Sequence, residues 1–390
     1  MQRPTVLALV LAGGKGSRLG ALTDHTAKPA LPVGGTYRLI DISLSNLVHS
    51  HITDVWLVQQ YLPHDLNFYM AGGRPWDLDR SHGGLHVLPP YQGADGEGFA
   101  SGNSDSIFRQ AGLIREADPD LVLVLSADHL YTVDFRDVVD THLSQHADLT
   151  MVTTRVHEDA SRYSVVQVDS SGHVTDFSYK PEEPSGDLVA GEMFLFTTDV
   201  LLGALETLQE QLGQLGDYGE DLIPHVLEHH TVVEHRHPGY WMDLGTVQSY
   251  WTAQLQLLDG DGATLDDPAW PIWSGQVPLP PAFIADDAAV TRSLVAPGSH
   301  VAGTVEHCVV GENVTVEPGA TVRHSVLLDG VHVGPGVELL NVVADSGAHI
   351  TGGSRRGSSG HVTVVDRSGT VADREPFDTS ATLPRDADTY

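Results

Sequence analysis

The 390-residue chain sets 52 acidic against 21 basic side chains, a formal net charge of −31 at pH 7, and is 41% apolar. That length exceeds one ordinary core and implies two domains, while the charge leaves no basic footprint for nucleic acid or an anionic membrane. The single cysteine, Cys308, excludes a disulfide framework and fits a reducing cytosol.

Val6–Ala12 is a short apolar run that leads directly into Gly13-Gly14, so it reads as a buried strand and not as a signal peptide or membrane span. Ile52–Gln59, Leu121–Ser126 and Leu149–Val156 are further strand candidates, with helical stretches such as Asp105–Ala117 and Phe135–His146 between them. Strands alternating with helices imply a mostly parallel sheet covered on both faces, which binds ligands beyond the carboxyl ends of its strands. Pro268–Pro281 breaks the rhythm and reads as a linker. After it Val310, Val316, Val322 and Leu328 recur every six residues, with Ile284, Val290, Val295 and Val301 at nearly that spacing upstream. A hexapeptide period marks a parallel β-helix, each coil stacking one apolar side chain on the next. The domains expected are therefore 1–262, a linker 263–282, a β-helix 283–351, and a polar, poorly ordered tail 352–390, in which only His361–Asp366 looks strand-like.

Chemistry concentrates just after the strands. Leu11-Ala12-Gly13-Gly14-Lys15-Gly16-Ser17-Arg18 is a glycine-rich turn that lets backbone N–H groups approach phosphate, and it matches neither a Walker loop nor a dinucleotide fingerprint. Arg18 and Lys28 place two cations near it, as a triphosphate requires. Asp128 follows the apolar strand Leu121–Leu125, and Asp243 lies in Tyr240-Trp241-Met242-Asp243-Leu244-Gly245. Carboxylates at such positions can hold Mg²⁺, although an aspartate after a strand is also a common helix cap. Lys180 ends another strand-like stretch, Phe177-Ser178-Tyr179-Lys180-Pro181. Only three of the basic residues are lysines, Lys15, Lys28 and Lys180, and all three fall in these motifs. A compact ammonium is what such sites need where arginine's planar fork does not serve.

In order along the chain, AGGKGSRL, AKPALPVGG, YRLIDISLSN, SADHLY, DFSYKP, YGEDLIP and YWMDLGTVQSYW resemble the motifs of glucose-1-phosphate adenylyltransferases. The resemblance implies a Rossmann-like α/β nucleotidyltransferase domain followed by a left-handed parallel β-helix of hexapeptide repeats. It implies a cytoplasmic enzyme of glycogen or α-glucan biosynthesis that makes ADP-glucose and pyrophosphate from ATP and a sugar-1-phosphate, with Mg²⁺ as cofactor and no nucleic-acid or membrane partner. A homo-oligomer is expected, a tetramer by resemblance. Carried over by position, Arg18, Lys28 and Asp128 are catalytic. Leu11, Ala12, Gly13, Gly14, Lys15, Gly16, Gly102 and Asp105 bind the nucleotide. Lys180, Tyr179, Glu192 and Asp243 bind the sugar phosphate, and Asp128 and Asp243 hold the metal.

The departures fall mostly on the sugar side. Tyr179 stands where the family has glutamate, Ser164 replaces a glycine, Ala190-Gly191-Glu192-Met193 replaces a serine-containing segment, Glu220 replaces a lysine and Met242 an arginine. Ala100–Asp105 also differs, and His25 and Thr26 stand where activated members carry basic residues, so weak or altered activation by sugar phosphates is expected. Three alternatives stay open: another sugar or nucleotide preference, a catalytically silent regulatory subunit, and, from the hexapeptide repeat, an acyltransferase. For the last, His300, His307, His324 and His332 are the histidines within the repeats, and the resemblance makes them solvent-facing turn residues.

Overall fold

The computed structural model describes residues 3–13, 16–89, 100, 102–352, 355–385 and 387. It divides into two compact units: residues 1–14, 43–127 and 132–239 form the first, and residues 15–42, 128–131 and 240–390 the second. The second unit thus combines three pieces of the expected catalytic region with the hexapeptide repeats.

In the first unit nine strands make one sheet: β1 (Val6–Ala12), β2 (Asp54–Gln59), β3 (Gly84–Leu88), β4 (Leu121–Ser126), β5 (Leu149–Arg155), β6 (Ser164–Val168), β7 (Val174–Tyr179), β8 (Leu188–Thr197) and β9 (Val232–Arg236). The main order is β7-β6-β8-β4-β1-β2-β3, with β5 pairing both β8 and β9. β3, β2, β1 and β4 are mutually parallel; β8 enters antiparallel beside β4 and turns that end of the sheet into a mixed one. β1 and β4 are buried on both faces, which is why Val6–Ala12 and Leu121–Leu125 are almost unbroken apolar runs. Helix Thr198–Leu212 buries Leu201, Leu205 and Leu208 at helical spacing and stops at Gly213 (φ 74°), the left-handed cap that glycine favours. The stretch read as one helix, Asp105–Ala117, is two, Asn103–Phe108 and Ala111–Ala117.

In the second unit the repeats wind into three sheets of five, five and six strands, the left-handed β-helix, all parallel except the last strand of the six. Val301, Val316, Val333 and Ile350 stack along one sheet and Val305, Val322 and Leu339 along another, all buried. The period is not uniformly six. Coils repeat after 15 residues at His300↔Thr315, three short of three hexapeptides, and after 17 at Thr315↔His332, where one slot shortens to five. In consequence Leu327, not Leu328, stacks under Val310, and Leu328 joins the cluster around helix Val247–Asp259. That helix starts on a Thr246–Ser249 capping box, buries every residue from Val247 to Gln256, and donates the Trp251 indole N–H to the His324 carbonyl at 2.7 Å.

Residues 263–282 carry no helix or strand. The stretch from 352 is more ordered than its composition suggests: His361–Val365 extends the β-helix beside Val342–Ala344, and Val371–Pro376 adds an antiparallel strand. The repeat histidines are not uniformly solvent-facing either, since His307 and His324 are buried at 1% and 5% exposure.

Candidate active site

In the second unit the strands His129–Tyr131 and Trp241–Asp243 pair antiparallel, with Asp243 opposite His129. The ribbon brings Asp128, immediately before its first strand, beside Asp243 at the end of its second. The Lys28 ammonium lies 2.6 Å from Asp128 Oδ2 and 3.3 Å from Asp243 Oδ1, and His129 Nε2 lies 3.6 Å from an oxygen of each. Lys28 is 6% exposed, whereas Asp128 and Asp243 keep 25% and 20% of their side chains in solvent. The cation is therefore set behind an accessible acidic face. Burial, the largest influence on Lys28, pushes its pKa down; the charges of Asp128 and then Asp243, with hydrogen bonds to both, outweigh it and hold the pKa above the ordinary value.

Lys28 reaches this position from a short helical turn, Lys28–Ala30, in which Pro29 fixes the backbone beside it. The exposed Arg18 arrives from the irregular turn Ser17–Thr23. Gly245 explains how it fits: a Cβ there would lie 2.7 Å from Asp243 Oδ2 and 2.8 Å from an Arg18 guanidinium nitrogen. A bare Cα lets both side chains keep these positions, whereas a Cβ would displace their tips. Asp128, His129 and Asp243 each offer a donor atom, all within 4.8 Å of one another. Two part-exposed carboxylates with the buried His129 imidazole behind them fit a divalent cation.

In the first unit β7 ends at Tyr179, and Lys180 turns the chain at φ 44°. Lys180 Nζ donates to the Tyr179 hydroxyl at 2.8 Å and lies 4.5 Å from the ring centroid. The same hydroxyl donates to Asp217 Oδ2 at 3.2 Å, while Asp217 Oδ1 accepts the Asn103 N–H at 3.2 Å. Burial, then the Asp217 charge and hydrogen bond, with Glu192 and Glu220 behind them, push the Tyr179 phenol well above its usual pKa, so it stays a donor. The ring lies directly over Gly219, where a Cβ would come within 2.1 Å of it. Glu192 has a left-handed backbone (φ 55°) in the bulge of β8 between Ala190 and Phe194.

The remaining nucleotide-side residues are placed unevenly. Leu11 and Ala12 are buried in β1 with Leu11 in the core cluster, so only their backbone is available to a ligand. Gly13 follows against Gln60, and Gly16 turns the chain at φ 66°; Gly14 and Lys15 lie outside the described residues. Gly102 precedes helix Asn103–Phe108, and the buried Asp105 carboxylate takes Arg109 in an i,i+4 ion pair at 3.0 Å, a structural task beside the nucleotide role expected of it. The structure also brings in residues that motif reading passed over: His129, Asp217, Gly219 and Gly245. Each stands inside or next to a recognised segment, and only tertiary proximity gives it a partner.

The chain matches the nucleotidyl transferase family over residues 7–260 and the GlmU-like C-terminal hexapeptide family over residues 280–367. Fold and site thus define a nucleotidyltransferase that carries a hexapeptide solenoid. Among its relatives, the glucose-1-phosphate adenylyltransferase of Thermotoga neapolitana is 39% identical over 318 residues, covering 80% of this chain and 75% of that one. Those of Clostridium acetobutylicum and Bacillus thuringiensis are each 38% identical, covering 81% and 82% of this chain and 84% and 86% of theirs. This chain belongs to the glucose-1-phosphate adenylyltransferase family.

Proposed function

We propose that this chain transfers the adenylyl group of ATP to glucose-1-phosphate, forming ADP-glucose and pyrophosphate. The observation that carries the assignment of roles is the buried Lys28 held between Asp128 and Asp243 beside Arg18. A phosphate oxygen of the sugar is already an anionic nucleophile, so no general base is required. It attacks the α-phosphorus, the bond to the bridging oxygen of the β-phosphate breaks, and pyrophosphate leaves with that electron pair. The protein's task is to align the two phosphates and to offset the charge that develops on the leaving group. Arg18 meets the departing pyrophosphate, Lys28 offsets phosphate charge, and Lys180 holds the sugar phosphate. Asp128 and Asp243 would hold Mg²⁺, which when bound polarises phosphate oxygens. Gly13 to Gly16 offer backbone N–H groups to the triphosphate.

The Tyr179–Lys180–Asp217 cluster favours a second reading within the same chemistry, a shifted sugar preference. A phenol, which donates, stands where family members present a carboxylate, which accepts. A sugar hydroxyl that loses its acceptor loses about 1–3 kcal/mol, enough to reorder preferences. We place the enzyme in the cytosol as a homo-oligomer, a tetramer by analogy with its family.

The test is pyrophosphate release by purified protein with Mg²⁺, ATP and glucose-1-phosphate, alongside panels of other triphosphates and sugar-1-phosphates. Turnover with ATP and glucose-1-phosphate, lost in Asp128→Asn and Asp243→Asn, supports the main reading. Turnover restricted to another sugar supports the second. No turnover with any pair overturns both and favours a regulatory subunit.

A further inference from the structure

The β-helix carries two histidine pairs with the same 17-residue spacing, His307 with His324 and His332 with His349, and in each pair one ring is anchored at Nε2 by a carboxylate. Their surroundings differ. His307 and His324 sit at left-handed corners (φ 52° and 46°), buried, with Nδ1 atoms 2.9 Å apart and His307 Nε2 3.0 Å from Asp259 Oδ1. Two neutral rings satisfy that arrangement completely: His307 donates Nε2–H to Asp259 and accepts Nδ1–H from His324. It is a closed hydrogen-bonded relay.

His332 and His349 lie directly opposite each other on adjacent parallel strands, His332–Val333 and His349–Ile350, on the outer side of the solenoid. His332 is part-exposed and His349 exposed. Glu317 Oε1 lies 3.2 Å from His332 Nε2, which makes that nitrogen the donor and leaves Nδ1 of a neutral ring with a bare lone pair. This lone pair faces His349 Nδ1 at 3.4 Å. The separation is at the long limit for a hydrogen bond. It equals the edge between neighbouring ligands of a tetrahedral ion with metal–nitrogen bonds of 2.0–2.1 Å, roughly 3.3–3.4 Å.

We infer that His332 and His349 form a two-imidazole site for a borderline divalent transition-metal ion such as Zn²⁺, Ni²⁺ or Cu²⁺, with water completing the coordination. Imidazole nitrogen selects such ions over Mg²⁺. Glu317 acts from behind, fixing the tautomer and ring orientation of His332, as carboxylates do behind ligating histidines. The strand register of the solenoid holds the two histidines at this spacing. The ion joins two successive coils and stabilises the folded solenoid by mass action.

The test uses full-length protein with excess Mg²⁺ to occupy the acidic face. Zn²⁺ is titrated calorimetrically into wild type, Asp128→Asn, His332→Ala/His349→Ala and Glu317→Gln. The expected result is one equivalent bound by wild type and by Asp128→Asn, lost in the double histidine variant, and weakened about tenfold or more in Glu317→Gln. The Cu²⁺-loaded wild type should show hyperfine coupling to two imidazole nitrogens by electron paramagnetic resonance. Melting in EDTA checks that the variants fold, and Glu317→Gln keeps both ligands if the double variant does not. Equal Zn²⁺ stoichiometry and affinity in wild type and the double variant, or coupling to a single nitrogen, would overturn the site.

Discussion

Lys28 and Lys180 stand in different units and are held in opposite ways. Lys28 is buried, and its charge is met by two carboxylates on a rigid two-stranded ribbon. Lys180 is exposed, and its ammonium donates to the phenol of its own neighbour, Tyr179. The difference teaches which cation is preorganised. A buried ammonium between carboxylates keeps its position at the cost of desolvation, whereas an exposed lysine on a turn is free to follow a ligand. The departures from the family touch both lysines, with Tyr179 beside Lys180 and with His25, Thr26 and Met242 beside Lys28 and Asp243, yet Lys28 keeps both aspartates.

The most damaging way to break this comparison is to remove a carboxylate. Asp128→Asn or Asp243→Asn should lower kcat about 10³-fold in the pyrophosphate assay, since each takes away a metal ligand and half of the Lys28 cage.

Acid tests whether both units rely on neutral buried groups. Burial, the leading cause in each, lowers the pKa of His142 in the first unit and of His324 in the second to about 4; the His307 charge adds to it for His324, and Asp148 opposes it for His142. A lowered histidine pKa means that the unfolded chain binds the proton first. Stability from these groups is complete above about pH 6.5 and is lost as pH falls toward 4, by at most about 3 kcal/mol for each histidine. Urea melts at pH 7.5, 6 and 5 should show this decline, and His142→Gln should flatten it.

Lys28→Met should reduce kcat about 10²-fold. It should also tighten Mn²⁺ binding to the nucleotide-free protein, measured by electron paramagnetic resonance, because it removes a competing cation from the two carboxylates. Unchanged Mn²⁺ affinity would show that Lys28 does not compete there. Lys180→Gln should act mainly on KM for the sugar phosphate, raising it about tenfold with a smaller change in kcat, as expected for a group that binds ground and transition states alike. Smallest is Tyr179→Phe. Deleting the hydroxyl that ties Lys180 to Asp217 costs one modest hydrogen bond, about threefold in the same KM. An effect as large as that of Lys180→Gln would mean that Tyr179 touches the sugar itself.

Much of this was legible before any coordinates. The unbroken apolar runs of β1 and β4 marked a buried parallel sheet, and the recurring valines marked the solenoid. The rarity of lysine drew attention to Lys28, which the fold sets between two carboxylates. What the period could not give was the coil length: a slot of five in a 17-residue coil moves Leu328 out of the stack, and a six-residue rule has no means of sensing that. In the tail the strand-like reading of His361–Asp366 meets a strand at His361–Val365, while the polar composition of Val371–Pro376 hid a strand that forms only by pairing with it. The histidines of the repeats looked alike in sequence, yet one pair is sealed beneath Asp259 and the other open to water.

By itself, then, the sequence determined the two architectures, the glycine turn and the charged residues near it, because periodicity and residue chemistry act locally and leave a local signature. The tertiary structure alone decided that Lys28 lies between Asp128 and Asp243, that the Arg18 guanidinium lies against Gly245, and that Tyr179 lies over Gly219 with its hydroxyl on Asp217. Among those pairings, Lys28 and Asp243 are 215 positions apart. They depend on strand register and burial, which no window of the chain contains.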